Sequence, residues 1–325
     1  MRTAARNHVG AALLGAALCA LLRPPAARAG LAREARSASR ATPVERALSG
    51  GLVTLRTPGS LMLRVVAGRF VMGSTADEAL EASALCAREP LGPDRCDEHT
   101  FANETPRRVE PLGSYWLDRS EVTAGDYDRC AARGLCARRA LDGARRFAAS
   151  ELPATFVSAD EAETYCRARG ARLPSEAEFE RAARGSAGRR YPWGELYNGK
   201  LANHGREGFD NVDWSDGYAE LAPVRSFPNG RTPDGFFDLA GNASEWTRDQ
   251  YSDRYGTPPS PGHSGERVVR GGDFTSSAAF LRGAARRPLA GDERKPNVGF
   301  RCARSFEADA PDDAVPAAPP SGAAP

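Results

Sequence analysis

Apolar positions recur in helical rhythm in only a few stretches of this chain, and the clearest of these open on recognisable helix starts. Ser158-Ala-Asp-Glu161 and Ser175-Glu-Ala-Glu178 both fit the capping box, in which a hydroxyl and a carboxylate three residues later satisfy backbone N–H groups that the first turn leaves unpaired. The spacing predicts one helix running to about residue 169, stopped by Gly170, and a second running to about residue 184, stopped by Gly185. Thr123-Ala-Gly-Asp126 is a weaker copy of the same signal. Short β-rich runs at 69–72, 115–117, 268–270 and 299–302 predict strands. From 191 to 255 the chain is crowded with Gly, Pro, Asn and Asp, and few runs are long enough for a regular element. So much irregular backbone must satisfy its polar groups by other means, and bound calcium and disulfides are the expected devices.

The ends read differently. Arg2 and Arg6 precede an apolar run over 9–22, and Ala27-Arg28-Ala29 follows with small residues where a signal peptidase reads, so residues 1–29 are expected to be a secretory signal. The run is short for a bilayer span, which argues against a stable membrane span after cleavage, although retention as an anchor stays open. Residues 30–51 read as a flexible linker, 52–305 as one domain, and 306–325 as an acidic Pro/Ala-rich disordered tail. Over 325 residues, 41% hydrophobic and 26% charged, the composition is that of a globular chain rather than a collagenous or polytopic one. Without the signal the chain holds 40 basic and 42 acidic residues, which gives no electrostatic footprint for nucleic acid. The expected location is exported: periplasmic, secreted or cell-surface.

Gly68-Arg-Phe-Val-Met-Gly-Ser74, Glu104-Thr-Pro106, Asp118-Arg-Ser-Glu-Val-Thr123, Arg172-Leu-Pro-Ser-Glu-Ala-Glu-Phe-Glu180, Tyr191-Pro-Trp-Gly194, Gly235-Phe-Phe-Asp-Leu-Ala-Gly-Asn-Ala-Ser-Glu-Trp246, Arg270-Gly-Gly-Asp273 and Asn297-Val-Gly-Phe-Arg301 follow one another along the chain. In these stretches the sequence resembles the formylglycine-generating enzyme, or sulfatase-modifying factor, family. The resemblance implies an α+β, loop-rich, C-type-lectin-like variant fold, stabilised by disulfides and calcium. It also implies up to two Ca²⁺ sites. One would use the Asp238 and Glu245 side chains with the Gly241 and Ala243 carbonyls; the other, the Asn203 and Asp216 side chains with the His204 and Tyr218 carbonyls. Asp238 stands where the family commonly has Asn, an exchange that keeps an oxygen ligand and adds charge. From spacing alone these residues read equally as turn-formers.

Enzymes of the family oxidise a substrate cysteine to formylglycine with two cysteines of their own, which in aerobic members bind Cu(I). Alignment on Gly271-Gly272 puts Ser276 and Leu281 at those positions, and no cysteine lies between Cys166 and Cys302. A hydroxyl is too hard and too weakly acidic to replace a thiolate on Cu(I), and leucine offers no ligand, so copper is not expected here. Of the seven cysteines, Cys19 falls within the signal, leaving an even six. Cys166 and Cys302 match a disulfide implied by the resemblance. Local pairs Cys130–Cys136 and Cys86–Cys96 are the simplest of the 15 possible connectivities.

The histidines His99, His204 and His263 are scattered and form no metal motif. Asp273, Ser276, Arg286, Arg287 and Asp292 are expected near the groove where family enzymes hold substrate, and are the candidate pocket; paired structural arginines and a turn acid are the plainer account of some of them. Three functions follow. The first is a calcium-binding, non-oxidase binding or structural module with an unknown protein, peptide or small-molecule ligand. The second is an enzyme of different chemistry, a maturation factor for a secreted molecule; the third is a formylglycine-generating oxidase. Fold cannot choose among them, because function lives in the site.

Overall fold

In the computed structural model, backbone is described for residues 44–47, 53–57, 60–90, 92–209, 213–259 and 261–306, with side chains for those from residue 60 onward except 93, 94 and 261. The expected signal, Cys19, most of the linker and the tail beyond Phe306 lie outside the described residues.

The chain builds β1 (Val44–Ala47), β2 (Val53–Thr57), β3 (Ser60–Val65), β4 (Gly68–Met72), α1 (Ala76–Cys86) and the short α2 (Gly92–Arg95). It continues through β5 (Arg108–Leu112), β6 (Tyr115–Asp118), α3 (Ala124–Ala132), α4 (Ala159–Ala168) and α5 (Glu176–Arg184). After a long irregular stretch come β7 (Ser244–Gln250), β8 (Glu266–Arg270), β9 (Arg286–Ala290), β10 (Val298–Gly299) and β11 (Ala303–Ser305). An antiparallel sheet runs β1-β2-β3-β6-β11, a second runs β10-β7-β8-β9 with β10 parallel to β7, and β4 pairs with β5. The mixed α+β, loop-rich architecture agrees with the expectation.

Helices α4 and α5 begin on the two capping boxes: Ser158 accepts from Glu161 N–H and Ser175 from Glu178 N–H, with each glutamate accepting the cap N–H in return. Gly185 closes α5 at φ 68°, a left-handed conformation that favours glycine. Thr123 caps α3 in the weaker form, without the reciprocal bond. Strand β6 is buried at every position because both faces are covered: Trp116 packs with Met62, Tyr127, Tyr165, Trp246 and Phe300, while Tyr115 and Leu117 pack with Phe179, Phe236 and Leu239. These two clusters are the main core, one on each side of the sheet.

Three boundaries differ from expectation. Strand β1 lies inside the expected linker, where it pairs antiparallel with β2, Val44 opposite Arg56. Phe306, placed in the expected tail, still belongs to the fold, since Arg64 stacks on its ring at 3.8 Å. Of the expected strand over 299–302 only Gly299 lies in a strand, as the end of β10, and β11 starts at Ala303. Residues 300–302 cross between the sheets: the N–H groups of Val122 and Asp118 donate to the Phe300 and Cys302 carbonyls, while the Phe300, Arg301 and Cys302 side chains enter the core.

Disulfides join Cys86 to Cys96, Cys130 to Cys136 and Cys166 to Cys302. The irregular backbone has a further support that the sequence reading missed, namely buried arginines. Arg270 donates to the carbonyls of Gly283, Ala284 and Ala285 and pairs with Glu180. Arg301 donates to the carbonyls of Asp118, Phe237 and Asp238 and forms a two-pronged pair with Glu245. Arg184, Arg282 and Arg286 act similarly against Glu180, Glu104 and Glu176. Each guanidinium presents five N–H donors in a rigid fork, so one side chain pairs a carboxylate and still satisfies several loop carbonyls.

Candidate functional site

The turn at which the resemblance puts the paired-cysteine positions begins at Gly271 and Gly272, both at positive φ. A Cβ on Gly272 would lie 2.8 Å from the Phe280 carbonyl oxygen, so the backbone here closes on itself too tightly for a side chain. Beyond it, Asp273 is buried and accepts from the Ser244 hydroxyl and from the N–H and hydroxyl of Thr275. The Ser276 oxygen accepts from Asp273 N–H at 3.1 Å and from Arg287 Nη2 at 2.5 Å. Arg287 also faces Asp273 at 3.6 Å and Glu207 at 3.7 Å, and its guanidinium stacks on Phe280. Ser276 and Leu281 are both 0% exposed. Leu281 sits among Tyr191, Ala202 and Ala240, and the segment between the two packs through Ala279 and Phe280 against α1, Cys96 and Phe101.

The five candidate pocket residues therefore separate. Asp273, Ser276 and Arg287 meet, but as a closed hydrogen-bonded knot rather than a pocket. Arg286, though adjacent in sequence, points the other way in strand β9, where its guanidinium pairs with Glu176 and is buried. Asp292 lies in the turn after β9, where its carbonyl accepts from Arg294. Three clefts occur elsewhere, and none is lined by any of the five. One of these, about 250 Å³, lies between α1 and the side chains of Arg190 and Arg282.

The two oxygen sets implied for calcium adjoin. Asn242 lies inside the 238–245 loop at φ 66°; its Oδ1 accepts from Asn203 Nδ2 at 3.0 Å, and its N–H donates to the Asn203 carbonyl at 2.9 Å. A Cβ on Gly241 would lie 2.0 Å from that carbonyl, so only glycine fits the seam. In the second set, Asp216 accepts the N–H groups of both His204 and Tyr218, which draws its carboxylate beside the two residues whose carbonyls the resemblance implies as ligands. Asn203 Oδ1 is buried and has no hydrogen-bond partner, as suits an oxygen placed for a cation. In the first set, burial raises the Asp238 carboxyl to about 6 and also raises Glu245, while Arg301 pulls both down. Among the described residues no three His, Cys, Asp or Glu side chains converge as metal ligands, so either set relies on amide and backbone oxygens, donors that calcium accepts. The residues fit calcium in donor type. They do not fit Cu(I), since all six described cysteines are in disulfides.

Glu121, unremarked in the sequence reading, supports the same loop. It is buried and accepts from Asn242 Nδ2 at 2.9 Å and Ala243 N–H at 3.0 Å. Burial, then the fields of Asp238 and Glu245, hold its carboxyl well above the usual range. The available signal was an acid in the Asp118-Arg-Ser-Glu-Val-Thr123 stretch directly beside core Val122.

Comparison with known proteins places this geometry. The family described as the sulfatase-modifying factor enzyme 1-like domain matches residues 53–306. A formylglycine-generating enzyme of Streptomyces coelicolor is 41% identical over 170 residues, which cover 48% of this chain and 53% of that protein. An inactive C-alpha-formylglycine-generating enzyme 2 of Mus musculus is 37% identical over 162 residues, 48% of this chain and 50% of that protein. The chain thus spans about half the length of these curated relatives. Among solved structures, PvdO from Pseudomonas aeruginosa superposes with a TM-score of 0.58 at 29% identity, covering 76% of this chain and 95% of PvdO. Treponema denticola variable protein 1, at 17% identity and a TM-score of 0.56, shares the fold over 82% of this chain and 100% of its own.

Proposed function

This chain belongs to the sulfatase-modifying factor enzyme 1-like family, and from that premise we propose that it is an exported, calcium-stabilised binding or structural module that does not perform the copper-dependent cysteine oxidation. One observation carries the reading. The two positions at which the family keeps its working thiols hold Ser276 and Leu281, and both side chains are sealed in the core. Loss of the ligands and loss of access coincide. The presence of relatives whose own name is inactive formylglycine-generating enzyme 2 supports it. Three disulfides support a location outside the reducing cytosol. An enzyme of different chemistry at this turn has less support, since Asp273 and Ser276 are buried and line none of the three clefts.

The direct test is incubation of the protein with Cu(I), O₂ and a Cys-x-Pro-x-Arg peptide, following peptide mass. The peptide is expected to stay unchanged, and conversion to the aldehyde overturns the reading. Calcium is tested separately by chelation. A ligand held only by the folded state stabilises it by about 2.7 kcal/mol at a hundredfold excess over Kd, so EDTA should lower Tm by several degrees and calcium should restore it. An unchanged transition, with no metal by elemental analysis, removes calcium from the account.

A further inference from the structure

A cleft of about 90 Å³ opens beside the start of α3, lined by the side chains of Arg119, Arg225, Ser60, Ser120, Thr123, Asp126, Glu121 and Arg169 among others. The charges around it are uneven. Arg169 is committed to Asp118 through two hydrogen bonds. Asp126 is taken by Arg129 and Thr123, and Glu121 by Asn242 and Ala243. Arg119, Arg225 and the neighbouring Arg231 have no carboxylate at ion-pair distance among the described residues. Arg119 donates Nε to the Gly235 carbonyl and stacks on Phe237, and Arg231 donates one N–H to the Pro228 carbonyl. Asp238 accepts the backbone N–H of Arg225 at 2.7 Å, and Arg225 stands at φ 68°. Arg119 and Arg225 line the cleft together, and burial, then the fields of Arg225 and Arg231, lower the Arg119 pKa. The N–H groups at the start of α3 add nothing, being taken by Leu152, Ser150 and Thr123.

We propose that Arg119, Arg225 and the Ser120 hydroxyl, with the charge of the neighbouring Arg231 behind them, form a binding site for a small doubly charged oxyanion, phosphate or sulfate, free or as the monoester group of a larger molecule. Like charges that the fold holds together cost stability until an anion neutralises them, and guanidinium forks match the geometry of phosphate-type oxygens. The cleft, about 90 Å³ and open to solvent, has room for one tetrahedral oxyanion and leaves a path out for the remainder of an ester. The site adjoins the 238–245 loop through the bond from Arg225 N–H to Asp238, and it uses neither the implied calcium ligands nor the thiol positions as its own ligands, so it goes beyond the function proposed above.

The test is equilibrium dialysis of the whole protein against radiolabelled inorganic phosphate and sulfate, at fixed ionic strength in sodium chloride. Saturable binding of one anion per chain is expected. Arg225→Gln with Arg231→Gln, both exposed side chains whose loss leaves the core intact, should weaken it at least tenfold. Arg88→Gln, at the rim of the larger cleft, should leave it unchanged. Absence of saturable binding to the wild type, or equal binding to the double variant, overturns the proposal. Phenyl phosphate then identifies the source: displacement of the label supports an ester group as ligand, and failure to displace it supports the free anion.

Discussion

Arginine does at the residue scale what regular structure does in other folds. Arg270 and Arg301 are fully buried, and each spends its donors on loop carbonyls as well as on a carboxylate. Removing one partner of such a pair strands a charge, which typically costs 3–5 kcal/mol, so these side chains are structural despite their chemistry. This is also the plain reason that Arg286 leaves the candidate pocket for Glu176. Asp249 is a contrasting case, an acid whose carboxylate accepts the Glu176 N–H at the start of α5. Burial raises its pKa despite that bond, and the Glu176 and Glu178 fields add to the rise. The folded state therefore binds the proton more tightly than the unfolded chain, and this contribution to stability is present at low pH and lost as pH rises above the ordinary Asp value of about 3.9. Asp249→Asn keeps an acceptor oxygen without the titration. Urea unfolding between pH 4 and pH 7 should show a smaller loss of stability with rising pH than in the wild type; an equal or larger loss would sink the assignment.

At the scale of elements, helix starts were the most legible feature because a capping box is a local device: the residues that make it lie within four positions. The reading found α4 and α5 by that signal and overlooked α1, although Thr75-Ala-Asp-Glu78 has the same form. Thr75 accepts Glu78 N–H at 3.2 Å, and Glu78 accepts Thr75 N–H at 2.8 Å. Thr75→Ala should cost about 1 kcal/mol in chemical denaturation, whereas Thr75→Ser should cost little. If the two variants are equally destabilised, the hydroxyl is not the cause. Strands were less legible, because pairing partners are remote. The 299–302 run reads as one strand by composition, yet only Gly299 joins a sheet, and the strand of the other sheet starts one residue past the run.

For the whole molecule, the Cys166–Cys302 bridge ties α4 to the chain just before β11 across a separation of 136 residues. Constraining so long a loop in the unfolded chain is worth roughly 4–5 kcal/mol in the chain-entropy model. Replacing both cysteines by alanine should therefore lower the unfolding midpoint far more than replacing Cys130 and Cys136, whose separation is 6; equal losses would count against the entropic account. What the sequence by itself determined was the family, through motifs spread along the chain, the three helices with recognised starts, and the absence of thiols at two positions. All of these depend on residue type and local spacing. Only the tertiary structure decided that Ser276 and Leu281 are sealed, that Arg286 faces Glu176, that Glu121 braces the 238–245 loop, and that Arg119 and Arg225 line one cleft. Burial and charge pairing depend on which remote segments meet, and no local pattern in the chain encodes that.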